Sequence, residues 1–97
     1  MNNQPYVGLI ECEPTEKSFI SRTAGLSQNF NLKKAYAIHE SAGVSLQRRF
    51  PEIELTADCS AIFSDSNISL VLISAPANKH RDLIGAALKA NKHVQLV

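Results

Sequence analysis

The sequence is poor in the residues that mark several protein classes. It contains only two cysteines, Cys12 and Cys59, which lie far apart and form no C-x-x-C pair. This excludes a zinc knuckle, a thioredoxin-type pair and a disulfide-dense secreted scaffold, so we expect reduced, inert, structural thiols. The formal net charge is only +1, whereas nucleic-acid-binding modules usually carry a clearly basic face. We therefore expect no nucleic-acid partner.

Long apolar runs are also absent. The run Tyr6–Ile10 is far shorter than a signal-peptide core or a membrane span of roughly 20 residues, and the preceding residues 1–5 carry no positive cluster. We therefore expect a cytoplasmic protein with no membrane partner. The 97 residues contain no repeat, low-complexity tract or Pro/Gly/Ser linker, which predicts a single domain over residues 1–97.

Short apolar runs alternate along the chain with segments of helical periodicity. The predicted strands are Tyr6–Ile10, Ala35–Ile38, Leu70–Ile73 and Val94–Val97, with a weaker one at Ile53–Leu55. The predicted helices are Phe19–Ser27, Ala42–Phe50 and Leu83–Leu88, with a short one at Ala61–Phe63. Asp58 can cap the short helix, and the segment 65–67 makes the turn after it.

This alternation is typical of a Rossmann-like α/β fold, a doubly wound parallel sheet with helices on both faces. Ligands of such sheets bind beyond the carboxyl ends of the strands, at the point where the strand order reverses. We therefore expect ligand-binding residues in the segments that follow Ile10, Ile38 and Ile73.

Two short motifs in the C-terminal third lie at a characteristic separation. The first is P-x-x-x-H from Pro76 to His80, directly after a predicted strand, and the second is K-H-V from Lys92 to Val94. The chain thereby resembles the N-terminal domain of the Gfo/Idh/MocA oxidoreductases, which carry T-P-N-x-x-H and A-G-K-H-V at these places. The resemblance implies an NAD(P)-binding fold that serves oxidation or reduction of sugars and cyclitols, with NAD or NADP as cofactor.

The resemblance also implies which residues contact the dinucleotide. They are Glu11, Cys12, Glu13, Glu40, Ser74, Ala75, Pro76 and His80. Glu40 would accept hydrogen bonds from the adenosine ribose; the alternative is a solvated carboxylate at the start of a helix. His80 would lie near the cofactor cleft, or alternatively would form a local hydrogen bond at a helix start. No catalytic residue and no metal ligand is assigned.

The phosphate-binding loop departs from the family pattern. Where the family has G-x-G-x-x-G, the segment 11–16 is E-C-E-P-T-E, with a glutamate at each glycine position. Glycine lets the main chain approach a pyrophosphate, whereas a carboxylate about 6 Å from a phosphate repels it by about 3 kcal/mol at an effective dielectric constant near 20. One hypothesis is that the carboxylates themselves occupy the anion site. The alternative needs no ligand: Pro14 begins a helix, and Glu13 and Glu16 stabilise its positive end.

The family's catalytic lysine, in its E-K-P motif, and its substrate domain would both follow Val97, where the chain ends. We therefore expect a chain that is not a complete hydride-transfer enzyme by itself and whose NAD(P) binding is weakened or lost. The alternative is a non-enzymatic interaction module that keeps the fold without a cofactor. The partner would be a second copy, paired through the open strand Val94–Val97, or the missing C-terminal domain.

Overall fold

The structure is a computed structural model that describes residues 6–14, 17–19 and 31–97. Its strands are β1 (Tyr6–Glu11), β2 (Leu32–Ala37), β3 (Glu54–Leu55), β4 (Ile68–Ser74) and β5 (His93–Leu96). Its helices, within the same residues, are α1 (Glu40–Arg49), α2 (Ser60–Phe63) and α3 (Ala77–Lys89). The strands form one parallel sheet in the order β3-β2-β1-β4-β5. The predicted Rossmann-like α/β fold is confirmed.

The central strand β1 is apolar on both of its faces, as a strand buried between two helical layers requires. Leu9 belongs to an apolar cluster that includes Leu46 of α1. Ile10, its neighbour, belongs to a second cluster that includes Ile62 of α2 and contacts Leu83 of α3. The two clusters are the two halves of the core. Because each face of β1 packs against one of them, apolar and polar residues do not alternate along this strand.

Helix α2 lies unusually close to β1. A Cβ atom added at Gly8 would lie 2.5 Å from Cγ2 of Ile62, a separation that two carbon atoms without a bond between them do not tolerate. The absence of a side chain at Gly8 therefore lets this short helix pack directly on the strand.

Several predicted boundaries move in the structure. Strand β2 begins at Leu32, because main-chain pairing with β1 continues through Leu32 and Lys34, where the sequence has no apolar run. The carboxylate of Asp58 accepts a hydrogen bond from the amide of Ser60 at 2.8 Å, although the cap position itself is Cys59. Helix α3 begins at Ala77, six residues before the predicted Leu83, and Leu88 within it is 59% exposed although it is apolar.

The predicted helix Phe19–Ser27 lies, after Phe19, outside the described residues. Within the described parts of the chain, no helix has both the length and the apolar character that crossing a membrane requires.

A charged cluster joins three strands at their amino-terminal ends. Asp65, in the turn before β4, forms ion pairs with Lys33 at 2.8 Å and Lys34 at 3.1 Å, both of which belong to β2. Lys92, the lysine of the K-H-V motif, is 8% exposed and donates hydrogen bonds to the carbonyls of Asp65 and Ile68, each at 2.6 Å. The motif lysine therefore holds the turn that begins β4 against the start of β5.

Candidate dinucleotide site at the carboxyl ends of β1 and β4

The strand order reverses between β1 and β4, and the main chain ties the ends of three strands together there. Strand β1 pairs with β2 on one side and with β4 on the other. The amide of Cys12 donates to the carbonyl of Ser74 at 2.7 Å, and the amide of Ile38 donates to the carbonyl of Glu11 at 2.9 Å. The end of β1 is thus the centre of the edge at which such folds bind ligands.

The side chain of Glu11 points into this centre and is completely buried. Its Oε1 accepts a hydrogen bond from the amide of Phe19 at 2.6 Å. Its Oε2 accepts one from the hydroxyl of Ser74 at 2.5 Å and one from the amide of Glu13 at 3.2 Å. A buried carboxylate is stable only where such donors replace the water it has lost.

These donors resemble those that a phosphate group receives in a glycine-rich loop. Main-chain amides that converge at the end of a strand form an anion-binding concavity in many folds. In this chain the amides of Glu13 and Phe19 converge on a carboxylate that belongs to the chain itself. The side chain at the first glycine position of the motif therefore receives main-chain hydrogen bonds where β1 ends.

The rest of the loop contributes a turn. The amide of Lys17 donates to the carbonyl of Pro14 at 2.9 Å, and the side chain of Glu13 is half-buried. Thr15 and Glu16 lie outside the described residues. Stabilisation of a helix start by Glu13 and Glu16 therefore stays a prediction.

A cleft of about 220 Å³ opens beside the end of β1. It is lined by Cys12, Tyr36, Ile38, Cys59, Lys79, Asp82 and Leu83. Burial raises the pKa of the Cys12 thiol, although the nearby ammonium of Lys79 opposes this shift. Burial also raises the pKa of Cys59, to about 11, and the neighbouring Cys12 and Asp58 add to the effect. Both thiols are therefore protonated and weakly nucleophilic at neutral pH.

The turn between β4 and α3 holds four of the residues that the resemblance assigned to the cofactor. The hydroxyl of Ser74 donates its hydrogen bond to Glu11, and Ala75 is buried. Pro76 is the N-cap residue of α3. Nε2 of His80 lies 2.7 Å from the carbonyl oxygen of Ala75, so the ring N–H donates a hydrogen bond to it. His80 forms the local hydrogen bond that was the alternative to a cofactor contact.

Glu40 lies apart from the other predicted site residues. It is the first residue of α1, is exposed, and borders a second cleft of about 350 Å³ together with Gly43 and Leu55. The other seven predicted residues gather at the ends of β1 and β4. Ile38 borders both this cleft and the one beside Cys12, and the contact of Glu40 with an adenosine ribose stays a prediction.

Sequence reasoning missed the amide of Phe19 and most of the cleft wall. Asp82 and Leu83 lie three and four residues after Lys79, which places both beside it on one face of a helix, so their spacing contained a usable signal. Cys59 had none, because its position depends on how α2 packs on β1. Among the described residues, no group of three or more histidine, cysteine or acidic side chains is arranged to hold a metal ion.

The comparison with protein families agrees with this architecture. A parallel sheet of this order, with its candidate cleft at the strand-order reversal, defines a Rossmann-type nucleotide-binding domain. Residues 13–96 match the Gfo/Idh/MocA family, which is described as an oxidoreductase family with an NAD-binding Rossmann fold. The chain belongs to this family.

Individual relatives are longer than the chain. An uncharacterized oxidoreductase of Schizosaccharomyces pombe is 35% identical in an alignment of 65 positions, which covers 63% of this chain and 18% of that protein. The apo scyllo-inositol dehydrogenase of Lactobacillus casei shares the fold with a TM-score of 0.74 at 22% identity, over 96% of this chain and 28% of its own. The biliverdin reductase of Synechocystis, solved with biliverdin and NADP+, also shares the fold. Its TM-score is 0.74 at 21% identity, and the match covers 97% of this chain and 29% of the reductase. The chain spans less than a third of each of these proteins.

Proposed function

We propose that this chain is the dinucleotide-binding domain of a Gfo/Idh/MocA oxidoreductase whose diphosphate site is occupied by its own Glu11 carboxylate. NAD or NADP then binds weakly or not at all. The observation that carries the proposal is the complete burial of the Glu11 side chain on the amides of Glu13 and Phe19 and the hydroxyl of Ser74.

Competition for donors supports this proposal. A diphosphate that approached these amides would have to displace the carboxylate or remain beside it. Displacement breaks three charge-assisted hydrogen bonds, each of which contributes about 1.5–3 kcal/mol. Coexistence places like charges a few ångströms apart in a buried site, which is unfavourable by several kcal/mol. Either route subtracts from the free energy of binding.

The rest of the cleft is open and could retain part of the ligand contacts. Tyr36, Ile38 and Leu83 give it apolar walls, and Lys79 and Asp82 give it polar groups. These walls suit a planar apolar group such as a purine. We assign no preference between NAD and NADP, because Glu40, which would make that choice, borders the other cleft.

Catalysis by the whole protein is a separate matter. The matched relatives are oxidoreductases, and the chain spans less than a third of their length. We propose that hydride transfer needs groups beyond the cleft described above, since the thiols of Cys12 and Cys59 are protonated there and His80 is engaged with the main chain.

Isothermal titration with NAD+ and NADP+ tests the occupied site. We expect the wild-type chain to bind with a dissociation constant weaker than about 1 mM, and Glu11→Gly to bind at least roughly tenfold more tightly, which corresponds to about 1.4 kcal/mol. Glu13→Gln is the matched control: it removes a charge from the same loop and leaves the Glu11 contacts in place. Circular dichroism confirms that each variant is folded. Micromolar binding by the wild type, or no gain in folded Glu11→Gly, would contradict the proposal.

A second candidate function, self-assembly, has one observation in its favour. Strand β5 pairs with β4 on one side, and Leu96 within it is 48% exposed. An exposed strand edge can pair with a second copy of the chain. Light scattering at high micromolar concentration should then show dimers that Leu96→Lys dissociates, with Leu88→Lys on α3 as the control. A strict monomer would exclude this function.

A further inference from the structure

We propose that Cys12 and Cys59 form a dithiol site that closes to an intramolecular disulfide at the carboxyl end of the sheet. The inference does not depend on dinucleotide binding, so it stands or falls separately from the proposed function.

The packing of α2 on β1 brings the two cysteines to the same place. Side chains alternate along a strand, so Gly8 and Cys12 lie on the same face of β1. Ile62 contacts the strand at Gly8, and Cys59 lies one helical turn before Ile62. Cys12 belongs to the apolar cluster on this face, Cys59 packs against that cluster, and both residues border the 220 Å³ cleft.

The two thiols differ in exposure, and this difference determines which of them reacts first with an external oxidant. Cys59 is only partly buried and Cys12 is buried, so an external disulfide reaches Cys59 first. Cys12 lies behind it in the same cleft, where it can act as the resolving thiol. The sequence contains no third cysteine, so no other thiol of the chain competes for the intermediate.

Glutathione disulfide is a sufficient oxidant. Because burial keeps both thiols mostly protonated at neutral pH, the exchange is slow there and becomes faster as the pH rises. The small fraction of Cys59 that has lost its proton to solvent attacks one sulfur atom of the oxidant, which forms a mixed disulfide and releases one glutathione thiolate that takes up a proton. Cys12, after losing its own proton, then attacks the Cys59 sulfur, which forms the protein disulfide and releases the second glutathione. In sum, two protein thiols and one glutathione disulfide give one protein disulfide and two glutathione thiols.

The test is titration of the chain with glutathione disulfide, followed by alkylation of free thiols, proteolysis and mass spectrometry without reduction. We expect a peptide that links Cys12 to Cys59 within one chain. We also expect the fold to raise the effective concentration of Cys12 toward the Cys59 mixed disulfide, because it brings the two residues together. This effective concentration should be at least roughly tenfold higher in native buffer than in about 8 M urea, which unfolds most domains.

Two single variants separate this site from general thiol reactivity. In Cys12→Ser the reaction should stop with glutathione on Cys59, and in Cys59→Ser the buried Cys12 should stay largely unmodified in the native state. A wild-type chain that keeps glutathione on Cys59 beside a free Cys12 would overturn the proposal. So would links found only between two chains, or an effective concentration no higher than in urea.

Discussion

The two ends of the sheet each bury a carboxylate, but they hold it in different ways. At the carboxyl end, two main-chain amides and a hydroxyl of the described residues donate hydrogen bonds to Glu11. At the amino end, Asp65 pairs with the ammonium groups of Lys33 and Lys34. The first carboxylate lies at the edge of the sheet where such folds bind ligands, and the second joins strands. The same kind of buried group can therefore belong to a candidate ligand site at one end of a sheet and to a structural link at the other.

The largest expected effect concerns the carboxyl end. Glu11→Ala leaves two amides and the Ser74 hydroxyl without the carboxylate that binds them, and we expect a loss of about 3 kcal/mol in the free energy of unfolding. Urea denaturation measures it. Glu13→Ala, in the same loop, is the control and should change stability by less than about 0.5 kcal/mol. Equal effects of the two variants would show that Glu11 is not held as described.

A smaller effect, with a characteristic pH dependence, is expected at the amino end. The hydrogen bond from Lys33, together with those from the Asn67 amide and Lys34, holds the pKa of Asp65 well below its ordinary value. A lowered pKa in the folded state stabilises the fold above the unfolded-state value of about 3.9, and this contribution is lost as the pH falls below it. We therefore expect Asp65→Asn to lose about 1 kcal/mol at pH 7.

The pH dependence distinguishes this effect from a packing defect. The difference between the wild type and Asp65→Asn should be constant from pH 7 to about pH 5. It should shrink below about pH 4, where the Asp65 carboxylate of the unfolded wild-type chain begins to take up protons while that of the folded chain stays ionised. Denaturation at pH 7 and pH 3 measures it, with the exposed Asp82→Asn as the control. A difference that persists unchanged at pH 3 would show that the ion pairs do not stabilise the amino end.

The sequence predicted the fold well because buried parallel strands produce apolar runs that local inspection detects. It missed the first half of β2, where Lys33 and Lys34 interrupt the apolar pattern and pairing with β1 alone maintains the strand. For the candidate site, comparison with the family's G-x-G-x-x-G motif placed Glu11 at the first glycine position, which is where β1 ends. It could not supply Ser74 or Phe19 as partners, because contacts between distant segments depend on how the sheet is assembled. For the same reason the sequence did not predict that Cys12 and Cys59 border one cleft.

The two motif residues that identify the family, His80 and Lys92, both bind main-chain carbonyls. Each side chain fastens a turn on which a neighbouring strand or helix depends. Both interactions lie within the fold itself and involve none of the residues 11–16. A match to the family motif at these two positions therefore reports on how the chain folds and carries no information about cofactor binding.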